Sequence, residues 1–73
     1  MRSITLNGTK RSVRVLREED LAPGTLVCGR EFRSAYRIVC EDEGQLVLRN
    51  LRRPNLLVAW DPGTILEACD YIE

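Results

Sequence analysis

Short apolar segments separated by turn-forming residues recur along the chain. The first two, residues 4–6 and 11–15, flank the dipeptide Asn7-Gly8. Asn-Gly is typical of the type I′ turn of a hairpin, because both central residues of that turn need positive φ. We therefore predict a β-hairpin at the start of the chain. Val13 and Val15 alternate with a basic residue in its second strand, which predicts one apolar and one basic face.

A second hairpin is predicted in the middle of the chain. Residues 35–40 and 45–50 are rich in β-branched and other apolar side chains, and the acidic segment 41–44 between them ends in glycine. This pattern indicates two strands joined by a tight turn. In the returning strand, Leu46 and Leu48 are predicted to share one face of the sheet.

The remaining segments are shorter. Residues 25–28, which follow Pro23-Gly24, and residues 56–60 each predict a short strand. Residues 17–21 are polar and predict a single helical turn. Segment 64–71 fits both a final strand and a short helix, because its apolar residues also recur at helical spacing.

These elements predict a mainly β protein with one domain, residues 1–73. Five to six short strands with frequent turns suit a small, strongly twisted sheet or an SH3-like barrel, with one short helix as an option. The stretch 21–27 resembles the turn that leads into a strand of SH3-like barrels. Seventy-three residues are too few for a second domain.

Three cysteines, Cys28, Cys40 and Cys69, and no histidine restrict the chemistry available to the chain. An odd number of cysteines does not fit a framework of intrachain disulfides, and structural zinc normally takes four Cys or His ligands. We interpret the three cysteines as buried free thiols. We predict neither a metal nor a cofactor.

No motif in the chain favours catalysis. Histidine, the side chain best suited to proton transfer near neutral pH, is absent. A cysteine nucleophile needs a base or an electropositive environment, whereas Cys28 and Cys40 lie in apolar strand patterns. A glycine-rich phosphate loop and a dinucleotide-binding motif are also missing from the sequence. We predict that the protein is not an enzyme.

The 11 basic and 11 acidic residues balance, but they are separated along the chain. Residues 1–40 hold eight basic and four acidic residues, and residues 41–73 hold three and seven. Ten of the eleven basic residues are arginine, which favours bidentate contacts at interfaces. We therefore predict that the protein works by binding a partner. The candidate partner-binding residues are Arg30, Arg33, Arg37, Arg52, Arg53 and Trp60.

We expect the partner to be a protein, with direct nucleic-acid binding as the second alternative. Arg30, Arg33 and Arg37 interleave with Phe32 and Tyr36, a composition that also suits nucleic acid. Nucleic-acid-binding proteins are usually markedly basic, however, and this chain has a net charge of zero. Tryptophan and arginine are enriched at the energetic centres of protein interfaces. A purely structural role of the aromatic residues, in the core, is the third alternative.

The sequence predicts no membrane contact. The N-terminus lacks the apolar stretch of a signal peptide, and the longest nearly apolar run, residues 56–60, is far too short to span a bilayer. We expect a cytoplasmic protein without a membrane partner.

Four features occur together: a length of 73 residues, the absence of histidine, the split charge, and the opening hairpin sequence Ser3-Ile4-Thr5-Leu6-Asn7-Gly8-Thr9. In this combination the chain resembles small regulators of the Xanthomonas lytic-phage type, which bind host RNA polymerase. The resemblance implies a phage protein in the host cytoplasm that binds the N-terminal region of the polymerase β′ subunit. It also implies inhibition of initiation through hindered σ engagement, and suppression of termination. A small SH3-like nucleic-acid-binding module and a small subunit of a larger assembly are the alternatives.

Overall fold

The computed structural model describes residues 2–32 and 34–73. In this part of the chain seven strands form one antiparallel sheet, accompanied by a 3₁₀ helix and a short α-helix. The strands are β1 Ser3–Leu6, β2 Thr9–Val15, β3 Leu26–Gly29, β4 Ala35–Asp42, β5 Gln45–Asn50, β6 Leu57–Trp60 and β7 Cys69–Ile72. The 3₁₀ helix is Glu18–Asp20, and α1 is Pro62–Ala68.

The strand order across the sheet is β1-β2-β7-β3-β4-β5-β6. Strands β3 to β6 form a meander, and β7 returns across it to lie between β2 and β3. Val13 of β2 pairs with Ile72 of β7, and Cys28 of β3 pairs with Asp70 of the same strand. β7 therefore joins the N-terminal hairpin to the meander. The sheet curls into a half-barrel with β1 and β6 at its edges.

The mainly β fold, the twisted sheet and the single short helix are confirmed. The prediction of five to six strands is too low, since the described residues form seven. The sequence leaves strand and helix open for segment 64–71, and the structure has both there, the helix through Ala68 and β7 from Cys69. α1 begins at Pro62 and follows Asp61, whose extended backbone precedes the first helical turn. Proline suits this first position because its missing N–H would have no intrahelical partner there. The helix ends at Ala68, and β7 begins at the next residue.

The two hairpin turns have the backbone that their sequences predict. Asn7 and Gly8 have φ of 50° and 79°, and Glu43 and Gly44 have φ of 51° and 81°. Consecutive positive φ angles are the mark of the type I′ turn, which matches the right-handed twist of the flanking strands. The second turn is shorter than the predicted segment, since β4 continues to Asp42.

Apolar side chains pack on both faces of the sheet, because successive residues of a strand point to opposite sides. On the face covered by α1, the helix-side core consists of Leu16, Val27, Tyr36, Ile38, Leu46, Leu48, Ile65 and Cys69. On the other face, the hairpin-side cluster consists of Val13, Cys28 and Ile72, with Ile4, Leu6, Leu26 and Ala35 packed against them. The predicted shared face of Leu46 and Leu48 is confirmed.

Val13 on the predicted apolar face of β2 is buried, whereas Val15 on the same face is 67% exposed. One prediction about burial is wrong. Cys40 is exposed, because a bulge between Ile38 and Cys40 shifts the register and turns the thiol to the outer face. The other two cysteines are buried free thiols, as predicted. Burial raises the pKa of the Cys69 thiol to about 11.

Candidate partner-binding groove

A cavity of about 790 Å³ opens between the β1–β2 hairpin and the loop that joins β5 to β6. Its charged lining residues are Arg11, Arg37, Arg52 and Arg53, and no acidic residue in the described part of the chain lines it. Leu6, Leu26, Leu51 and Leu56 contribute apolar surface to its walls. We call this cavity the arginine groove. Its walls combine positive charge with apolar patches, as a protein-binding surface does.

Three of the four arginines have guanidinium groups that are free of polar contacts to the described residues. Within residues 2–32 and 34–73, no hydrogen bond or ion pair engages the side chains of Arg37, Arg52 and Arg53, and all three residues are exposed. The fourth is engaged, since Arg11 Nε donates a hydrogen bond of 2.6 Å to the main-chain oxygen of Glu73. Unpaired guanidinium groups in a cleft without carboxylates favour an anionic ligand.

The loop that carries Arg52 and Arg53 is held by hydrogen bonds from the sheet. Oδ1 of the buried Asn50 accepts hydrogen bonds of 2.9 Å from the main-chain N–H groups of both arginines. The N–H of Leu56 donates to the carbonyl oxygen of Arg53 at 2.8 Å. Arg49 NH1 donates to the proline carbonyl in the same loop at 2.6 Å. The backbone of the arginine pair is thus fixed before any partner binds, which lowers the entropic cost of binding.

Asn50 is a supporting residue that the sequence analysis missed. An asparagine forms an Asx turn when its side-chain oxygen accepts a hydrogen bond from the main-chain N–H two or three positions later in the chain. Asparagine is common in such turns. The sequence signal is therefore present: Asn50 ends the strand pattern 45–50 directly before a break that contains Pro54.

Arg30, one of the predicted contact residues, is used within the fold. Its guanidinium donates to the carbonyl oxygens of Leu66, Glu67 and Cys69 at 3.1, 2.7 and 3.2 Å. These bonds satisfy main-chain acceptors at the C-terminal end of α1. Arg30 Nε also donates to Asp70 Oδ1 at 2.9 Å. Arg30 lies outside the arginine groove, and we assign it to the support of the helix.

Asp70 is a second supporting residue that the sequence did not reveal. It is only 8% exposed and accepts hydrogen bonds from the guanidinium groups of both Arg2 and Arg30. Arg2 NH2 also donates to the carbonyl oxygen of Gly29 at 3.1 Å. Asp70 therefore ties the segment before β1 and the loop after β3 to β7.

Trp60 lies on the helix side, away from the arginine groove. Its ring meets the ring of Tyr36 edge-on at a centroid distance of 5.1 Å, and that of Phe32 at 6.4 Å. Trp60 is half-buried and packs against the helix-side core. Arg33 lies outside the described residues. Of the six predicted contact residues, the structure thus brings Arg37, Arg52 and Arg53 together.

The described residues, 2–32 and 34–73, contain no group of three or more His, Cys, Asp or Glu side chains arranged to hold a metal ion. None of the helices in this part of the chain is long and apolar enough to cross a membrane. Comparisons with protein-family models, with curated proteins and with solved structures find no match to this chain. The functional interpretation therefore rests on the geometry and charge of the arginine groove.

Proposed function

We propose that this protein is a non-catalytic binding protein that holds an acidic segment of a partner protein in the arginine groove. The observation that carries this proposal is the convergence of Arg37, Arg52 and Arg53 on one cavity that no described acidic residue lines. Guanidinium groups form paired hydrogen bonds with carboxylates, and such bonds are stronger in a cleft than in open water. An acidic segment would supply the carboxylates that the described lining of the groove lacks.

The lining of the groove favours protein over nucleic acid. Proteins that bind single strands stack bases on exposed aromatic side chains, whereas Tyr36, the aromatic residue among the described lining residues, is only 7% exposed. The groove instead offers leucines, and Leu56 is 45% exposed. A peptide that carries both carboxylates and apolar side chains matches these two properties.

Bacterial RNA polymerase is the partner that we propose first, on the basis of the resemblance to small phage regulators. In this role the protein binds the N-terminal region of the β′ subunit, hinders σ engagement at initiation and suppresses termination. The arginine groove supports only the general part of this proposal, which is a contact with an acidic protein segment.

The test is retention of polymerase from a Xanthomonas lysate on the immobilised protein. Arg52→Glu reverses a charge in the groove and keeps the main-chain N–H that Asn50 binds. Arg17→Glu is the matched control, because Arg17 does not line the groove and its side chain is 66% exposed. We expect Arg52→Glu to retain at least about tenfold less polymerase than wild type and Arg17→Glu, as for a central interface residue.

Each outcome bears on a different part of the proposal. Equal retention of a partner protein by Arg52→Glu and wild type would exclude the groove as the binding site. Groove-dependent retention of another protein, without polymerase, would exclude polymerase and support the groove. Retention that a single-stranded oligonucleotide abolishes in a salt-dependent way would replace the protein partner with nucleic acid.

A further inference from the structure

The main-chain hydrogen bonds of the N-terminal hairpin alternate along β1. Leu6 and Thr9 flank the two-residue turn, and the pair in that position exchanges both main-chain hydrogen bonds. The same phase continues to the start of the strand, where the N–H of Val13 donates to the carbonyl oxygen of Arg2 at 3.1 Å. Residues at even positions of β1, including Ile4, therefore bond to β2.

Ser3 and Thr5 have the opposite orientation. Their N–H and C=O groups point away from β2, toward the outer edge of β1. Among residues 2–32 and 34–73, no main-chain or side-chain group forms a hydrogen bond with these four groups. Two donors and two acceptors at the spacing of a sheet edge can pair with one additional strand.

Two cavities lie along this same edge. Thr5 and Leu6 line both the arginine groove and a second cavity of about 610 Å³, which continues along β1 to Ser3. A strand beside β1 would thus enter cavities that already exist.

The other edge of the sheet, strand β6, does not border these two cavities. The N–H of Asn50 in β5 donates to the carbonyl oxygen of Leu56, directly before β6, at 3.1 Å. Hydrogen-bonded and non-hydrogen-bonded pairs alternate from this point along β6, so Leu57 and Ala59 direct their main-chain groups outward. Neither of the two cavities is lined by a residue of β6. Arg37, Arg52 and Arg53 share the lining of the arginine groove with Thr5 and Leu6 of β1, so charge complementarity favours the β1 edge for the acidic occupant.

We infer that the acidic segment binds as an extended strand along β1 and becomes an eighth strand of the sheet. Ser3 and Thr5 supply its main-chain hydrogen bonds, and Arg37, Arg52 and Arg53 pair with its carboxylates. This inference rests on the proposed function, because the site is the same groove. Successive side chains of a strand point to opposite sides, so the groove recognises acidic residues at alternate positions of the segment.

The test uses a heptapeptide in which glutamate alternates with leucine, and two N-methylated forms of it. Only alternate residues of an added strand hydrogen-bond to the edge that it joins. N-methylation of one set, either all glutamates or all leucines, should therefore weaken binding at least about tenfold, whereas N-methylation of the other set leaves the affinity unchanged. The unmodified peptide with lysine in place of glutamate is the charge control, and we expect it not to bind.

A pair of proline variants tests the same edge from the protein side. Thr5→Pro removes an outward N–H of β1, and Lys10→Pro removes the equivalent N–H of its cross-strand partner in β2. Neither residue bonds across the hairpin, so the β1–β2 ladder is kept in both. We expect Thr5→Pro to weaken peptide binding about tenfold and Lys10→Pro to leave it unchanged, with the fold of each variant checked by circular dichroism. If Thr5→Pro does not fold, the N-methylated peptides decide.

Amide hydrogen exchange locates the added strand directly. Peptide binding should slow exchange at the amides of Ser3 and Thr5 about tenfold or more. Protection at Leu57 and Ala59 instead, or equal affinity of both N-methylated peptides, overturns strand addition at β1. If the unmodified peptide binds and Arg52→Glu weakens it while strand addition fails, the proposed function stands. If the unmodified peptide does not bind at all, the proposed function fails as well.

Discussion

The helix-side core and the hairpin-side cluster lie on opposite faces of the same strands, yet they are covered to different extents. On the helix side, Ile38 and Leu48 of the sheet and Ile65 of α1 itself are fully buried. On the hairpin side, Ile4 and Leu6 stay half-buried, and the arginine groove opens next to them. The contrast indicates that the helix-side face supplies most of the folding free energy. In the proposed function, the hairpin-side face keeps surface for a partner.

The largest effect is expected from shortening the same side chain on the two faces. Ile38→Ala leaves a cavity in the helix-side core and should lower the free energy of unfolding by about 2–5 kcal/mol. Ile4→Ala removes the same atoms from a half-buried position and should cost less than about 2 kcal/mol, because water already reaches part of this side chain. Urea denaturation followed by circular dichroism measures both. Equal losses would contradict the difference between the faces.

Asp70 connects the elements that surround the hairpin side. Asp70→Asn removes the carboxylate that pairs with Arg2 and Arg30, whose side chains are 45% and 39% exposed. Because solvent screens both partners, we expect a loss of about 1–2 kcal/mol in the free energy of unfolding. Glu67→Gln is the matched control, since Glu67 contributes only its carbonyl oxygen to the contact with Arg30. A loss as large for Glu67→Gln would show that net charge, and not the Asp70 contact, is responsible.

Asp20 provides a pH-dependent contribution on the helix side. Hydrogen bonds from the Arg14 guanidinium, followed by that from the Arg17 main-chain N–H, lower the pKa of the Asp20 carboxyl from 3.8 to about 2. A lowered folded-state pKa stabilises the fold above the unfolded value, and this stabilisation disappears as the pH falls from about 4 through 2. Asp20→Asn should therefore make the decrease of Tm between pH 4 and pH 2 smaller than in the wild type.

Glu19→Gln is the control for this decrease of Tm, because the Glu19 side chain is 74% exposed. It should keep the wild-type slope between pH 4 and 2. An unchanged slope in Asp20→Asn would contradict the assignment of this pH dependence to the contact between Asp20 and Arg14.

The smallest effect on stability is expected in the groove itself. Arg37 is exposed and lies directly opposite Arg49 in the β4–β5 pair, an arrangement of like charges that does not favour folding. Arg37→Glu should leave the free energy of unfolding within about 0.5 kcal/mol of wild type, or raise it slightly. Thermal denaturation checks this, and the same variant should lose affinity for the alternating Glu-Leu heptapeptide. Loss of stability without loss of affinity would assign Arg37 to the fold.

Local sequence patterns predicted the local structure well. The turn at Asn7-Gly8 and the strand 45–50 follow from residue type and alternation, and the helical turn at 17–21 contains the observed 3₁₀ helix. The failures arise where contacts between elements of the fold decide the outcome. The bulge that exposes Cys40 arises from the pairing of β4 with β5, and the sequence of β4 does not mark the position of this bulge.

The roles of the arginines were predictable only as a group. Arg30 and Arg37 belong to the same stretch of interleaved arginines and aromatic residues, but the first caps α1 and the second lines the arginine groove. What separates them is the position of the C-terminal end of α1, which no pattern within residues 30–37 contains. Arg52 and Arg53 stand before Pro54 in a break of the strand pattern, where exposure was a reasonable expectation.

The central place of β7 has a consequence for the order of assembly during translation. β7 is synthesised after every other strand of the sheet, yet it is the strand that pairs with both β2 and β3. On the ribosome the N-terminal hairpin and the meander can each form early, but they have no ladder between them until β7 emerges. The nascent chain therefore passes through a stage in which the inner edges of β2 and β3 are both open, and chaperones or other nascent chains can reach them then.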